Sequence, residues 1–389
     1  MAGNEAVSLK ALHLLKTSVG ATWALRQMRE LVKLGVEVHA AMPLDGPLVE
    51  RYRDVGVNVH GGQYSLPMKH PYRWPTLFQS FRDLVDIVRP DVIHSHFVGT
   101  TLTMRLALGK NHPTARIFQV PGPLHLEHPF FRSAEIRTAG HADAWIGSCK
   151  WTCERYRRSG IENDRIHLAY YGIDLDEVYH RPPGRLRGER GIRVGTPIVG
   201  MVAYMYAPKR YLGQKRGLKG HEDLIDAIAL VREHHPDIHA VFVGGAWAGA
   251  KAYEQQVIAY ATERLGTSAH FLGTRSDVPE LYADFDIVVH PSHSENVGGA
   301  AESLLLSVPT IATDVGGFPD LVVPGETGWL VPPRNPDKIA ESVLEGLANP
   351  VYAQETAQRG KQRASQIMDV RSNAADIYRI YRTILDSSR

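Results

Sequence analysis

The stretch HPSHSENVGGAAESLLLSVPTIATDVGG, residues 290–317, decides the fold. An apolar run at 287–290 reads as a strand, and a polar loop follows it. Gly298 and Gly299 then open a helix over 299–306. Val308-Pro309 ends that helix before a second β-branched run at 310–313. A strand, a helix and a strand at this spacing form a parallel pair with its crossover, the unit of an open sheet covered by helices.

Working outward, the same alternation fills the chain. Strands are expected at 11–15, 36–41, 91–96, 117–120 and 144–147, with helical patterns such as 21–34 between them. A second series is expected at 197–202, 238–243, 270–272, 287–290, 310–313 and 328–331, separated by helices at 221–234, 253–265, 299–306 and 336–348. Arg181-Pro182-Pro183-Gly184 interrupts the alternation, because such a run favours extended or turning backbone. The expectation is an α/β chain of two doubly wound Rossmann-like domains, over 1–182 and 183–370, joined near 181–196. A last helix at 371–389 packs back on the first domain. Sheets of this kind bind ligands beyond the carboxyl ends of their strands, so two of them facing each other would make a cleft.

Length and composition suit this reading. The chain has 389 residues, enough for two cores. Lys and Arg total 44 against 42 Asp and Glu, which gives no electrostatic case for nucleic acid. The N-terminus lacks a basic start followed by a long apolar segment, so no signal peptide is expected, and no apolar run reaches membrane-spanning length. The two cysteines, Cys149 and Cys153, stand one helical turn apart without further metal-ligand spacing around them. They read as packed thiols in a reducing cytoplasm.

Two stretches carry chemistry. Ten bases stand between Arg181 and Lys219 with only Glu189 opposing them. The half that contains Lys209, Arg210, Lys215, Arg216 and Lys219 lies between a strand and a helix, where backbone N–H groups, helix dipole and ammonium charge can act together on an anion. The earlier half reads as solvated. In the second stretch, Gly298 and Gly299 let a ligand approach the backbone, and the free N–H groups of their helix suit a diphosphate. Glu302, taken to lie in the first turn, would face hydroxyls such as a ribose, and Glu295 a second hydroxylated or cationic group. The tripeptides 174–176 and 284–286 have a D-x-D form, but they sit in a connection and at a strand entry. No metal and no other cofactor is expected.

The 290–331 segment resembles the donor-binding segment of glycosyltransferase family 4, retaining enzymes of the GT-B fold that use nucleotide sugars. RPDVIHSHF, HADAWIGSCKWTCERYRRSGI, RIHLAYYGIDLDEVY, LKGHEDLIDAI, AVFVGGAW and HFLGTRSDVPELYADFDIVVHPS fall in that family's order. The resemblance implies a sugar donor bound as a nucleoside diphosphate, UDP favoured, and a glycan, lipid-linked or small-molecule acceptor. Glu302 matches the acid that holds the ribose, and Glu295 resembles the acid against the transferred sugar. Six residues separate them where the family usually has seven, so strict spacing points to Ser294 and the position stays open. Lys219 matches the lysine at the diphosphate. Tyr204 stands where an arginine is usual, with Lys209, Arg210 and Arg216 as replacements. Gly20 matches a glycine-rich loop facing the donor phosphates. Gly244 and Arg275 belong with the donor-specific contacts. His125, in PGPLHLEHP, is the candidate active-site histidine, with His96 second. A nucleotide-sugar epimerase and a non-catalytic nucleotide-sugar-binding subunit remain as alternatives. A nicotinamide dehydrogenase does not, because no G-x-G-x-x-G follows a strand. Arg26, Arg29 and Lys33 along helix 21–34 suggest peripheral contact with anionic lipid. The aromatic-basic run around Tyr64, Tyr72 and Trp74 suggests an acceptor loop.

Overall fold

The computed structural model describes residues 9–120, 122, 124–210 and 213–387. Its chain divides into two units, residues 1–174 with 368–389, and residues 175–367.

Among the described residues the first unit contains seven strands: β1 (Lys10–Leu14), β2 (Glu37–Met42), β3 (Asn58–Gly61), β4 (Val92–Ser95), β5 (Ala115–Val120), β6 (Asp143–Gly147) and β7 (Ile166–Leu168). All pair in parallel, in the order β3-β2-β1-β4-β5-β6-β7. β4 and β6 are buried along their whole length, as strands with helices on both faces must be. The helix Thr22–Lys33 closes one face by burying Ala24, Leu25, Met28 and Leu31. β3 and β7 lie outside the expected set. They are four and three residues long and mostly part-exposed, so they lack the continuous apolar run that marks a central strand.

The second unit holds β8 (Ile198–Val202), β9 (His239–Val243), β10 (Ala269–Phe271), β11 (Ile287–His290), β12 (Thr310–Thr313) and β13 (Trp329–Val331). Their order is β10-β9-β8-β11-β12-β13, again parallel. The direction of winding reverses between β8 and β11, which makes that pair the topological switch point. Gly200 in β8 is required there, since an added Cβ would stand 2.4 Å from the Phe285 ring.

The unit boundary falls at Asp174–Leu175, ahead of the expected 182–183. The stretch expected to link the domains, 181–196, belongs to the second unit. It carries a helix, Arg185–Arg190, whose start is fixed by Asp284: the carboxylate accepts from the N–H groups of Gly184 and Leu186, each at 2.7 Å. Leu186 is fully buried. The chain returns to the first unit at Met368, where the helix Val370–Ser387 places Ala374, Ile377 and Tyr381 in the core with Ala11, Val38 and Met28. Cys149 and Cys153 are buried and not joined in a disulfide. Among the described residues no helix is long and apolar enough to cross a membrane.

Candidate active site at the switch point of the second sheet

Two loops leave the carboxyl ends of the switch-point strands, one from β8 and one from β11. The β8 loop runs to Lys219 and Gly220, where the helix His221–Val231 begins. Gly220 has φ +74°, and a Cβ there would meet the Pro291 carbonyl oxygen at 2.1 Å, so the two loops touch backbone to backbone only because this residue is glycine. The N–H of His293 donates to the Leu218 carbonyl at 2.8 Å across the same seam.

This seam brings Lys219 Nζ into an ion pair with Glu295 Oε2. Both side chains are less than one-fifth exposed. Burial raises the Glu295 carboxyl, but the Lys219 charge and hydrogen bond and the Asn296 N–H outweigh it and hold the carboxyl below its ordinary range. Of the two residues that the sequence offers for the first-acid position, Glu295 is the one that meets the lysine, whereas Ser294 is buried.

The helix Gly298–Leu305 opens next, with Val297 as N-cap and no side chain capping it. Gly298 is exposed, and an added Cβ would meet nothing within 4 Å. The helix end thus offers backbone N–H groups from its open first turn. Because the helix begins at Gly298, Glu302 falls in the second turn, where it is exposed; the first turn holds no acid. Beneath the glycines, His290 donates to or accepts from Ser303 Oγ at 3.0 Å, and burial lowers its imidazole to about 4.

An aromatic group completes the β8 and β9 side. Tyr204 and Trp247, both over one-third exposed, lie with ring centroids 5.0 Å apart. Tyr206 lies 5.9 Å from Trp247, and Lys219 Nζ stands 5.8 Å over the Tyr206 ring. Gly244, with φ +121°, holds the β9 exit: a Cβ there would stand 2.2 Å from the Ala203 carbonyl oxygen. Tyr206 and Trp247 had no sequence signal beyond being aromatic near a strand end.

The remaining basic residues divide. Arg216 is committed to Asp223 and Asp226, at 2.5 and 2.7 Å, so it does not replace the charge missing at Tyr204. Asp223 also accepts from His293 at 2.6 Å, a chain with no motif to announce it. Arg275 forms two bonds to Glu189 at 3.0 Å and two to Asp277, which anchors the 185–190 helix instead of opening toward a ligand. Lys209 is exposed and makes no ion pair among the described residues. The D-x-D tripeptides are internal fasteners: Asp284 caps a helix, Asp286 accepts from the Ile198 N–H, and Asp174 pairs with Arg29.

In the first unit, Gly20 is exposed with φ +73° just before the helix Thr22–Lys33. His125 lies on the short helix Leu124–Glu127 beyond β5; burial lowers it to about 4, and its Nε2 is 3.3 Å from the Tyr156 hydroxyl. Neighbouring Pro121 and Pro123 lie outside the described residues. His96 and His94 are fully buried with His13 in one chain of hydrogen bonds. His13 Nδ1 meets His96 Nε2 at 2.9 Å, Tyr381 OH meets His94 Nδ1 at 2.6 Å and His13 Nε2 at 3.2 Å, and Tyr171 OH meets His96 Nδ1 at 2.9 Å. His96 therefore has no access to a substrate as it stands. Tyr64 is buried against Phe81, Trp74 begins the helix Trp74–Val88, and Tyr72 is the one of the three that stands in solvent.

Comparison with known proteins accords with this architecture. The family Glycosyltransferase Family 4 matches residues 20–177, and Glycosyl transferases group 1 matches 210–365. The chain is 32% identical over 349 residues to a D-inositol 3-phosphate glycosyltransferase of Arthrobacter sp. (strain FB24), covering 80% of this chain and 77% of that protein. It is 26% identical over 378 residues to the putative glycosyltransferase EpsD of Bacillus subtilis (strain 168), covering 90% of each. Anabaena HepE in complex with UDP-glucose superposes with a TM-score of 0.79 at 20% identity, covering 95% of this chain and 98% of that one. Sucrose-phosphate synthase of Thermosynechococcus elongatus gives 0.77 at 18%, covering 97% and 100%. The chain belongs to glycosyltransferase family 4 and has the GT-B fold. It is a glycosyltransferase that takes its sugar from a nucleotide sugar.

Proposed function

We propose that the protein transfers a hexosyl group from a UDP-sugar to a hydroxyl of a glycan, glycolipid or small-molecule acceptor, with retention at the anomeric carbon and without a metal. The observation that carries this reading is the juxtaposition of Lys219, Glu295 and the uncapped Gly298 helix end at the switch point. The backbone N–H groups and the Lys219 ammonium receive the diphosphate, where charge grows as the sugar–phosphate bond breaks. Glu295, ionised beside Lys219, keeps that ammonium aimed and accepts from sugar hydroxyls. Glu302 reaches the ribose from the second turn, and Tyr204 with Trp247 gives the donor a stacking wall. The acceptor oxygen forms its bond to the anomeric carbon, the phosphate oxygen leaves with the electron pair, and the acceptor proton goes to that oxygen. The unbridged thiols of Cys149 and Cys153 fit a cytoplasmic site of action.

The test is a thermal-shift screen of UDP-, GDP- and ADP-sugars followed by measurement of free nucleoside diphosphate. A UDP-sugar should raise the melting temperature and be slowly hydrolysed. Stabilisation by a different nucleotide sugar would reassign the donor, and none at all would refute the site. An epimerised donor with no hydrolysis would refute transfer.

A further inference from the structure

The basic residues on the helix Thr22–Lys33 that suggested lipid contact are paired within the protein, Arg29 with Glu30 and Asp174, and Lys33 with Glu30. Another set of paired charges lies in the second unit, beside Lys219 and Glu295. Asp223 stands in the first turn of the helix His221–Val231. Its Oδ1 accepts from Arg216 Nη1 at 2.5 Å, and its Oδ2 lies 2.6 Å from His293 Nε2. Burial raises the Asp223 carboxyl, but the hydrogen bonds and charges of His293 and Arg216 outweigh it and hold the carboxyl below its ordinary range. An ionised carboxylate only accepts, so His293 Nε2 is the donor. The two side chains are 5% and 1% exposed, His293 the higher.

The placement of this network gives it a role. Asp223 follows Lys219 by one helical turn, and His293 stands two residues before Glu295. The His293–Asp223 bond therefore ties the loop after β11 to the helix that ends the loop after β8, and those two loops carry the ion pair. The contact of Gly220 with Pro291 and the bond from the His293 N–H to the Leu218 carbonyl fix the main chain across the seam. They leave a long, rotamer-rich lysine to be aimed by side chains. Replacing a buried charge network by apolar side chains of the same volume often costs no stability, so what this one supplies is a fixed geometry. We propose that His293 and Asp223 are positioning residues, which lock the two loops in register and so hold the Lys219 ammonium on the donor diphosphate. They act through Lys219 and Glu295. The inference rests on the reading of Lys219 as the cation that receives the diphosphate.

The experiment is calorimetric titration of the full chain with UDP, GDP and ADP, followed by a mutant cycle with the tightest of the three. Lys219→Ala should weaken binding roughly 10–100-fold, the value of one charged contact. His293→Ala should weaken it roughly tenfold, a part of the lysine's own contribution. Asp223→Ala, which leaves Arg216 paired with Asp226, should do the same. In the Lys219→Ala background both should change affinity by less than about twofold, since no ammonium is left to aim. His293→Gln, whose amide can donate to Asp223, should restore most of the wild-type affinity. Urea melts of each variant identify the conditions in which all are folded, and affinities are compared there. A wild type that binds no nucleoside diphosphate, or a Lys219→Ala protein that binds as the wild type does, refutes the diphosphate site and this inference with it. If Lys219→Ala is weakened while His293→Ala and Asp223→Ala bind normally, the site stands and the positioning role falls. Equal losses with and without Lys219 also overturn the role, because the pair would then act on the loops in general and not through the ammonium.

Discussion

Replacing Lys219 by alanine should damage stability and activity separately, and a second substitution should part the two. Glu295 is 16% exposed at its side chain, so without the ammonium it becomes a carboxylate in a largely dry seam with one N–H and a distant Ser292 hydroxyl to support it. Removing one partner of a buried pair costs about 3–5 kcal/mol. Residual exposure and the remaining hydrogen bonds place this case at the lower end, about 3 kcal/mol, or roughly 6–12 °C in melting temperature for a unit of this size. Lys219→Ala combined with Glu295→Gln should recover most of that loss, since a neutral amide needs no counter-charge. Turnover should behave otherwise, falling roughly 10²–10³-fold in the single variant and staying low in the double. The sign with pH is also fixed. In the wild type the pair stabilises above the ordinary carboxyl range and is lost as pH falls through the lowered Glu295 value. In Lys219→Ala the largest opposition to burial is gone, so the gap between the two proteins should narrow on acidification. Urea melts of the three proteins, with donor hydrolysis beside them, read every term. A Lys219→Ala protein as stable as the wild type, or a double variant no more stable than the single, would refute the account of the seam.

Further outcomes concern the rest of the molecule. His13, lowered to about 3 by burial, is neutral in the folded chain but protonates near 6.5 when unfolded, so stability should fall below that pH. At pH 5 this group alone costs about 2 kcal/mol. His94 and His96 shift the same way, and urea midpoints equal at neutral pH and pH 5 would contradict the neutral cluster. Tyr381→Phe removes the hydroxyl between His94 and His13 and should cost about 1–3 kcal/mol, read by the same melts. Gly244→Ala combines a positive φ with a blocked Cβ; it should cost at least about 1–3 kcal/mol, and donor-induced stabilisation should fall with it.

How far the sequence reached depends on the range of the interaction involved. The parallel units of both sheets were legible, because a buried strand such as Ile287–His290 and a helix such as His221–Val231 write their periods locally. The places of Gly298 and Lys219, at the junction of a strand exit and a helix start, were legible from the local pattern. The pairing of Arg216 with Asp223 and Asp226, and of Arg275 with Glu189 and Asp277, was not legible, because a free cation and a paired one read alike in sequence. His96 ends a strand as an active-site residue would. Only the fold shows that Tyr171 and His13 enclose it. The domain boundary was misplaced because the Pro-Pro-Gly run looks like a linker, while the capping carboxylate of Asp284 stands a hundred residues on.

The last helix gives the first unit a particular schedule. Its core needs Tyr381, Ile377 and Ala374, which are synthesised only after the whole of residues 175–367, a continuous unit. On the ribosome the middle of the polypeptide can therefore mature while its beginning still waits. A nascent chain halted after Ile367 should resist protease across the second unit and remain open to cleavage across the first.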